Sequence, residues 1–176
     1  MAAADTIFQK SNRGIAALAL VVLALDQFTK WLVLHNLDLS DEKTVIPGFF
    51  KLVQWRNTGA AWSQFSGNNA ALALVAAFAL VALYLTRHHF SSHTLSGQIA
   101  FGLIFGGIAG NLADRLLPSR HAVVDFLYFY LQQRGGRVID FPAFNVADTA
   151  ICTGVGLIFL ITWKTEHAPK NVTSDA

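Results

Sequence analysis

Two acidic residues in the second half of the chain lie where an isolated charge is costly. Asp125 is enclosed by the apolar and aromatic stretch VVDFLYFY (123–130), and Asp148 lies in FNVADTAI (144–151), at the start of a long apolar run. A carboxylate at membrane depth usually has a partner or a function. If the two acids meet, like charges at close range leave one shared proton, and the pair can act as general acid and base. Such a pair predicts that an activated water hydrolyses a bond such as a peptide bond, without a covalent intermediate.

Other polar residues lie inside or beside apolar runs and are expected to surround the two acids. Charged groups among them cost roughly 2.5 to 3.5 kcal/mol each at mid-bilayer, so their presence needs an explanation. They come from several parts of the chain and are Asp26, Lys30, Asn57, Asn111, Asp114, Arg115 and Asn145. We interpret them as groups that hold the acids or contact a substrate.

Structural alternatives exist for several of these residues. Asp26 and Lys30 are four residues apart in the favourable order, so a simple ion pair, with Lys30 extending to the membrane interface, would explain both. Asp114 could pair with a neighbour or with a facing helix. Asn145 and Asp148 match the N-cap and third position of a capping box, so helix initiation alone is an alternative for that pair.

The composition indicates a membrane protein, because 53% of the 176 residues are hydrophobic and only 14% are charged. Four apolar stretches are long enough for helices that cross a bilayer, which takes roughly 20 residues each. We predict an all-α membrane protein of one domain, residues 1–176. The spans are expected at about 14–34, 69–86, 97–117 and 145–163, and a disordered tail at 165–176.

An even number of spans puts both termini on one side and both long connections, 35–68 and 118–144, on the other. The polar residues of the first, third and fourth spans then lie at one depth, next to these connections. The third span also carries a ladder of small residues, Gly102, Gly106 and Gly110, which favours close helix packing.

Other chemistries have weaker support in the sequence. The chain lacks an HExxH zinc motif, and no Ser and His pair suggests a serine enzyme. His88, His89 and His93 cluster only in the short turn, where a metal site is a minor alternative. We therefore expect no metal and no cofactor. We also expect no nucleic-acid partner, since the net charge of +2 is small and the charges are scattered along the chain. Cys152, the only cysteine, is expected to be a buried thiol.

Two functions of other classes remain open at this point. A small transporter or proton relay also collects carboxylates, although repeated or broken helices and polar groups across the membrane are typical of it. A membrane scaffold without catalysis could use the glycine ladder and polar pairs for assembly.

Five motifs, taken in order and spacing, resemble the lipoprotein signal peptidases, the signal peptidase II family of bacteria. They are DQFTKW (26–31), NTGAAWS (57–63), GGIAGNLADR (106–115), VVDF (123–126) and FNVAD (144–148). The resemblance implies a four-helix intramembrane aspartyl endopeptidase with a small extracytoplasmic β platform. Its expected substrates are diacylglyceryl-modified prolipoproteins, cut just before the lipidated cysteine, and its expected inhibitor is globomycin.

The resemblance also assigns residues and orientation. Asp125 and Asp148 correspond to the catalytic pair, and the groups that bind substrate or support the acids correspond to Asn57, Asn111, Arg115, Asn145, Asp26 and Asp114. It implies a bacterial cytoplasmic (inner) membrane location among membrane lipids, with cytoplasmic termini. The count of Lys and Arg points weakly the other way, with five on the terminal side and seven on the long connections. Aromatic residues of these connections are expected to cover the cleft: Phe49, Phe50, Trp55, Trp62 and those at 126–130.

Overall fold

The computed structural model describes residues 2–59, 67–90, 92–133 and 135–167, with side chains from residue 11 onward. Within these ranges, four helices are long and apolar enough to cross a membrane. They are α1 (Ala2–Asn36), α2 (Asn69–Thr86), α3 (Leu95–Leu116) and α4 (Val146–Glu166), and a 3-10 turn, Arg87–Phe90, follows α2. The predicted all-α membrane architecture is confirmed, together with a small β platform.

The helix ends differ from the expected spans mainly at the chain termini. Helix α1 begins at Ala2 instead of near residue 14, because the polar residues before the apolar run are still compatible with helix. Helix α4 continues to Glu166, which includes two residues of the expected tail. Residues 168–176 lie outside the described part of the chain. Hydropathy marks the apolar part of a helix, whereas the helix itself extends into polar sequence at both ends.

Helix α3 lies at the centre of the bundle because its small residues let its neighbours approach. A Cβ atom added at Gly102 would lie 2.7 Å from Leu18 Cβ, and one at Gly106 would lie 2.6 Å from Val22 Cβ. On an adjacent face, a Cβ at Gly107 would lie 2.5 Å from the Ala147 carbonyl oxygen. The glycine ladder thus packs α3 against α1, and Gly107 packs it against α4.

The two long connections meet in one antiparallel sheet with the strand order β1-β2-β3-β4. The strands are β1 (Glu42–Ile46), β2 (Phe50–Asn57), β3 (Val123–Gln132) and β4 (Val138–Asp140). Strand β2 pairs with β3 so that Trp55 lies opposite Asp125 and Asn57 opposite Val123. The buried start of β3 therefore carries Asp125 to the end of the helix bundle where α4 begins.

Candidate active site

A cavity of about 850 Å³ opens where the sheet meets α3 and α4. This volume lies within the roughly 300 to 1,000 Å³ typical of ligand sites. Asp125 and Asp148 both line it. Its other described lining residues are Trp55, Arg56, Asn57, Thr58, Gly59, Asn111, Arg115, Val123, Phe141, Pro142, Ala143, Phe144, Thr149, Ile151, Cys152 and Thr153. The walls are largely apolar, and the polar groups converge around the two acids.

Asp125 is a buried acid that accepts hydrogen bonds from two side-chain amides. Asn57 Nδ2 donates to its Oδ2 at 3.0 Å, and Asn145 Nδ2 donates to its Oδ1 at 2.8 Å. Burial, and next the charge of Asp148, raise the pKa of Asp125 from 3.8 to about 7, while the two amide bonds oppose the change. This acid can therefore give or take a proton near neutral pH.

Asp148 occupies the third position of α4 and forms a capping box with Asn145. The Asn145 Oδ1 accepts the Asp148 N–H at 3.0 Å, and the Asp148 Oδ2 accepts the Asn145 N–H at 3.2 Å. The helix-initiation alternative is thus correct about the local geometry. It does not account for the other oxygen, Oδ1, which accepts a hydrogen bond from Asn111 Nδ2 at 2.7 Å.

Asn145 joins the two acids. It is fully buried, its Nδ2 contacts Asp125, and its Oδ1 and N–H contact Asp148. The structure therefore brings the two acids, 23 positions apart in the sequence, to one cavity and one shared asparagine. We predict that a single water molecule fits between their carboxyl groups.

Three asparagine side chains point their amide N–H groups at the acids because their oxygens are already occupied. The Asn57 Oδ1 accepts the Gly59 N–H at 2.9 Å, and the Asn145 Oδ1 accepts from the start of α4. The Asn111 Oδ1 accepts from Lys30 at 3.0 Å and from Asn145 at 3.2 Å. Donors on every side favour a negative charge in the pair, whereas burial opposes two charges. The arrangement suits a pair of acids with one shared proton.

Lys30 forms the predicted pair with Asp26, but its expected position at the membrane interface is wrong. The side chains of Lys30, Asp26 and Asp114 are all fully buried. Lys30 Nζ lies 2.9 Å from Asp26 Oδ2 and 2.7 Å from Asp114 Oδ2. Protein acceptors take the place of water around the ammonium, so the side chain has no reason to extend outward. Asp114 thus pairs with a facing helix, and it also accepts from Arg120 on the following loop.

Asp26 and Asp114 hold the backbone beside each of the two acids. Asp26 Oδ1 accepts the N–H of Ala147, the residue before Asp148, at 3.0 Å. Asp114 Oδ2 accepts the N–H of Val124, the residue before Asp125, at 3.3 Å. The geometry is consistent with the supporting role that the resemblance gives them.

Arg115 lines the cavity and connects three segments around it. Its Nη2 donates to the Gly59 carbonyl at 2.7 Å, and its Nη1 donates to Asn69 Oδ1 at 3.0 Å. Asn69 in turn donates to the Arg115 carbonyl at 3.0 Å. In this structure Arg115 therefore holds the segment after β2 and the start of α2, and its role in substrate binding remains a prediction.

The aromatic residues of the connections divide between the cavity and the sheet. Trp55 lines the cavity, and so do Phe141 and Phe144 from the segment before α4. Phe49 and Phe50 instead pack on Phe129 within the sheet, with ring centroids 5.4 and 4.7 Å apart. Trp62 lies outside the described residues.

Sequence reasoning missed several residues near the acids. Gln27 donates to Asp26 Oδ2 at 3.1 Å and accepts from Arg120 at 2.9 Å. Its place inside DQFTKW was the available signal, whereas nothing local pointed to Arg120. Cys152 is exposed and lines the cavity, so the expected buried thiol is wrong, because that side of α4 faces the opening. Among the described residues, no cluster of His, Cys, Asp or Glu suited to a metal was found.

A family model described as "Signal peptidase (SPase) II" matches residues 18–164. The chain is similar to a lipoprotein signal peptidase of Symbiobacterium thermophilum, with 44% identity over 144 residues, covering 81% of this chain and 90% of the relative. A lipoprotein signal peptidase of Bacillus subtilis is 35% identical over 144 residues, covering 81% and 88% of the two chains.

The fold is similar to that of solved bacterial membrane enzymes. One superimposes with a TM-score of 0.77 at 32% identity, covering 89% of this chain and 92% of the other. A second has a TM-score of 0.71 at 32% identity, covering 85% and 92%. The structural similarity therefore extends over most of the length of both chains.

Proposed function

The chain belongs to the signal peptidase II family, and we propose that it is an intramembrane aspartyl endopeptidase with Asp125 and Asp148 as its catalytic pair. Its substrates are diacylglyceryl-modified prolipoproteins, and it cuts just before the lipidated cysteine to remove the signal peptide. The observation that carries the proposal is that both acids line one cavity and bond to the same buried Asn145.

The reaction uses one acid as its base and the other as its acid. The ionised carboxylate takes a proton from water, and the resulting hydroxyl attacks the scissile carbonyl carbon. The protonated carboxyl donates a hydrogen bond to the developing oxyanion, and a proton then passes to the leaving amine as the C–N bond breaks. The products are a carboxylic acid on the signal peptide and an amine on the lipidated cysteine, and the acid then ionises to a carboxylate by giving its proton to water or to the amine. The pair gains one proton from water and passes one to the amine, so it returns to a single shared proton. Because water is the nucleophile, no covalent intermediate with the enzyme forms.

The mixture of polar and apolar residues that line the cavity supports this substrate class. A lipidated cysteine sits at the membrane surface, while its signal sequence lies in the bilayer as a helix. The scissile backbone then needs hydrogen-bond partners that lipid does not supply. Asn57, Asn111 and Arg115 provide polar groups in the cavity, and Trp55 and Phe144 are among its apolar residues. These apolar residues are suited to the acyl chains.

We place the termini in the cytoplasm and the cavity near the extracytoplasmic surface of the inner membrane. We also expect globomycin to compete with the substrate for the cavity. Reporter fusions at residue 176 and within 35–68 test the orientation: an extracytoplasmic signal from the C-terminus would contradict it.

The direct test is cleavage of a synthetic diacylated prolipoprotein by the full chain in lipid, with the same precursor without lipid as a control. We expect mass spectrometry to show one cut, just before the lipidated cysteine, and little cleavage of the control. In heavy-oxygen water, the new carboxylate should carry one solvent oxygen. Chelators and serine reagents should leave the rate unchanged. Cleavage at another bond, or equal cleavage of both precursors, would contradict the proposed function.

A further inference from the structure

We propose that Lys30 is a positioning residue for both catalytic acids: its buried ammonium fixes the amide of Asn111 toward Asp148 and ties together the backbones that precede the two acids. The inference rests on the proposed function, because it assigns a role within the same site. Lys30 itself does not line the cavity, so its effect reaches the reacting atoms through other residues.

The ammonium of Lys30 is fully occupied by protein acceptors. Its three hydrogens match three oxygens, those of Asp26 at 2.9 Å, Asp114 at 2.7 Å and Asn111 at 3.0 Å. All three distances are within the normal range of a hydrogen bond. Lys30 has no exposed surface, so these oxygens replace the water that would otherwise surround its ammonium. Charge-assisted bonds of this kind are the stronger ones, so Lys30 defines the positions of its partners.

Asn111 passes this geometry to Asp148. A side-chain amide can rotate by half a turn, which exchanges the positions of its oxygen and its nitrogen. The neighbouring donors and acceptors determine which of the two orientations it adopts. Lys30 and Asn145 both donate to the Asn111 Oδ1, so its Nδ2 must point away from them. There it donates to Asp148 Oδ1 at 2.7 Å. Without Lys30, one of the two donors that fix this orientation is lost, and the amide can turn its oxygen toward the acid.

The two carboxylates that flank Lys30 reach the segments of both acids. Asp26 accepts from the backbone of Ala147 at 3.0 Å, and Asp114 accepts from the backbone of Val124 at 3.3 Å. Lys30 is the cation that these two carboxylates share. One ammonium therefore links the start of α4 with the start of β3 through these two carboxylates.

The charges around Lys30 are balanced, and its removal would change that balance beside the catalytic pair. The ammonium and the Arg120 guanidinium face the two carboxylates Asp26 and Asp114. Arg115 adds a further cation on the cavity wall. Loss of Lys30 alone leaves an excess of negative charge nearby, which disfavours the ionised member of the pair.

The test compares Lys30→Met with the charge-balanced variant Lys30→Met/Asp26→Asn, and uses Asp26→Asn as the matched control. Lys30→Met removes one partner of a buried ion pair, so we expect a lower thermal stability. The charge-balanced variant should regain much of that stability. Both variants without Lys30 should lose about 10- to 100-fold in kcat, with KM changed by less, because an acid out of position affects the chemical step.

The pH profile separates positioning from a purely structural role. In both variants without Lys30, the acidic limb of kcat/KM should move to higher pH, because the ionised acid has lost its fixed donor. In Asp26→Asn, which keeps the Lys30 to Asn111 bond, that limb should not rise. Recovery of kcat together with stability in the charge-balanced variant, or an unchanged pH profile, would overturn the inference. So would failure of both variants to fold, because Lys30 would then act on folding.

Failure of the proposed function gives a different result. In that case the wild-type chain leaves the diacylated precursor intact under the same conditions. The inference is then judged by thermal unfolding measured against pH, which reports titration of the acids without a substrate. We expect the pH dependence of unfolding to differ between Asp26→Asn and the charge-balanced variant, and identical curves would overturn the coupling.

Discussion

Asn145 donates from its side-chain Nδ2 to Oδ1 of Asp125 at 2.8 Å. The same side chain accepts the Asp148 N–H and so caps the helix that carries the second acid. One residue therefore has two separable tasks, helix initiation and contact between the acids.

Asn145→Ser separates these two tasks. Serine is a good N-cap, so we expect Asn145→Ser to keep the cap and to be more stable than Asn145→Ala. Its side chain is too short to maintain the bond to Asp125, and activity should fall about 10- to 100-fold. Asn145→Ala is the comparison, because it should also lose about 1 kcal/mol of stability with the cap. Equal activity of Asn145→Ser and wild type would show that the bridging bond has no catalytic role.

The pKa of Asp125 predicts an alkaline limit to activity. Because that pKa is raised to about 7, the acid loses its proton as pH rises through that value. The pair then no longer holds a shared proton, so kcat/KM should decrease with an apparent value that belongs to the coupled pair. Activity should also fall at acid pH, when both acids are protonated. A flat profile in a chemistry-limited assay would contradict this mechanism.

The same pKa predicts a pH-dependent stability. The folded protein retains on Asp125 a proton that the unfolded chain loses near pH 3.8. This acid therefore contributes its full stability below pH 3.8, and the contribution disappears as pH rises through about 7. Thermal unfolding of wild type and Asp125→Asn at several pH values measures it. As the pH rises toward 8, the melting temperature of wild type should fall relative to that of Asp125→Asn. A difference that stays constant with pH would refute the prediction.

The sequence predicted the helices well because hydropathy is a local property. The span expected at residues 69–86 has the bounds of α2, Asn69–Thr86. The capping pattern of Asn145 and Asp148 was also readable, since its two residues lie three positions apart. The glycine ladder likewise indicated where helices would pack closely.

Long-range geometry was not readable from one sequence. Strand β2 pairs with β3 across more than 60 positions, as in the bond from Asn57 to Asp125, and no local pattern sets that register. The burial of Lys30 depends on Asp114 and Asn111 of another helix, which replaced the solvent expected around it. Resemblance gave roles to residues, whereas their hydrogen bonds required coordinates.

Gly106→Ala should destabilise the bundle. The added Cβ would lie 2.6 Å from Val22 Cβ and 2.7 Å from the Ala19 carbonyl oxygen, and the backbone contact cannot be relieved by a side-chain rotation. We expect a loss of about 1 to 3 kcal/mol in the free energy of unfolding. Gly156→Ala is the matched control, because a Cβ there meets nothing within 4 Å. Similar unfolding curves for both variants would contradict the close packing of α1 and α3.

The central claim is that Asp125 and Asp148 act as one catalytic pair on a water molecule. The most direct measurement is the rate at which purified Asp125→Asn and Asp148→Asn cleave a diacylated prolipoprotein, with thermal unfolding as the check on folding. We predict that each variant folds and loses nearly all activity, about 10⁴-fold or more, because neither amide can exchange a proton with water. Substantial cleavage by either folded variant would contradict it.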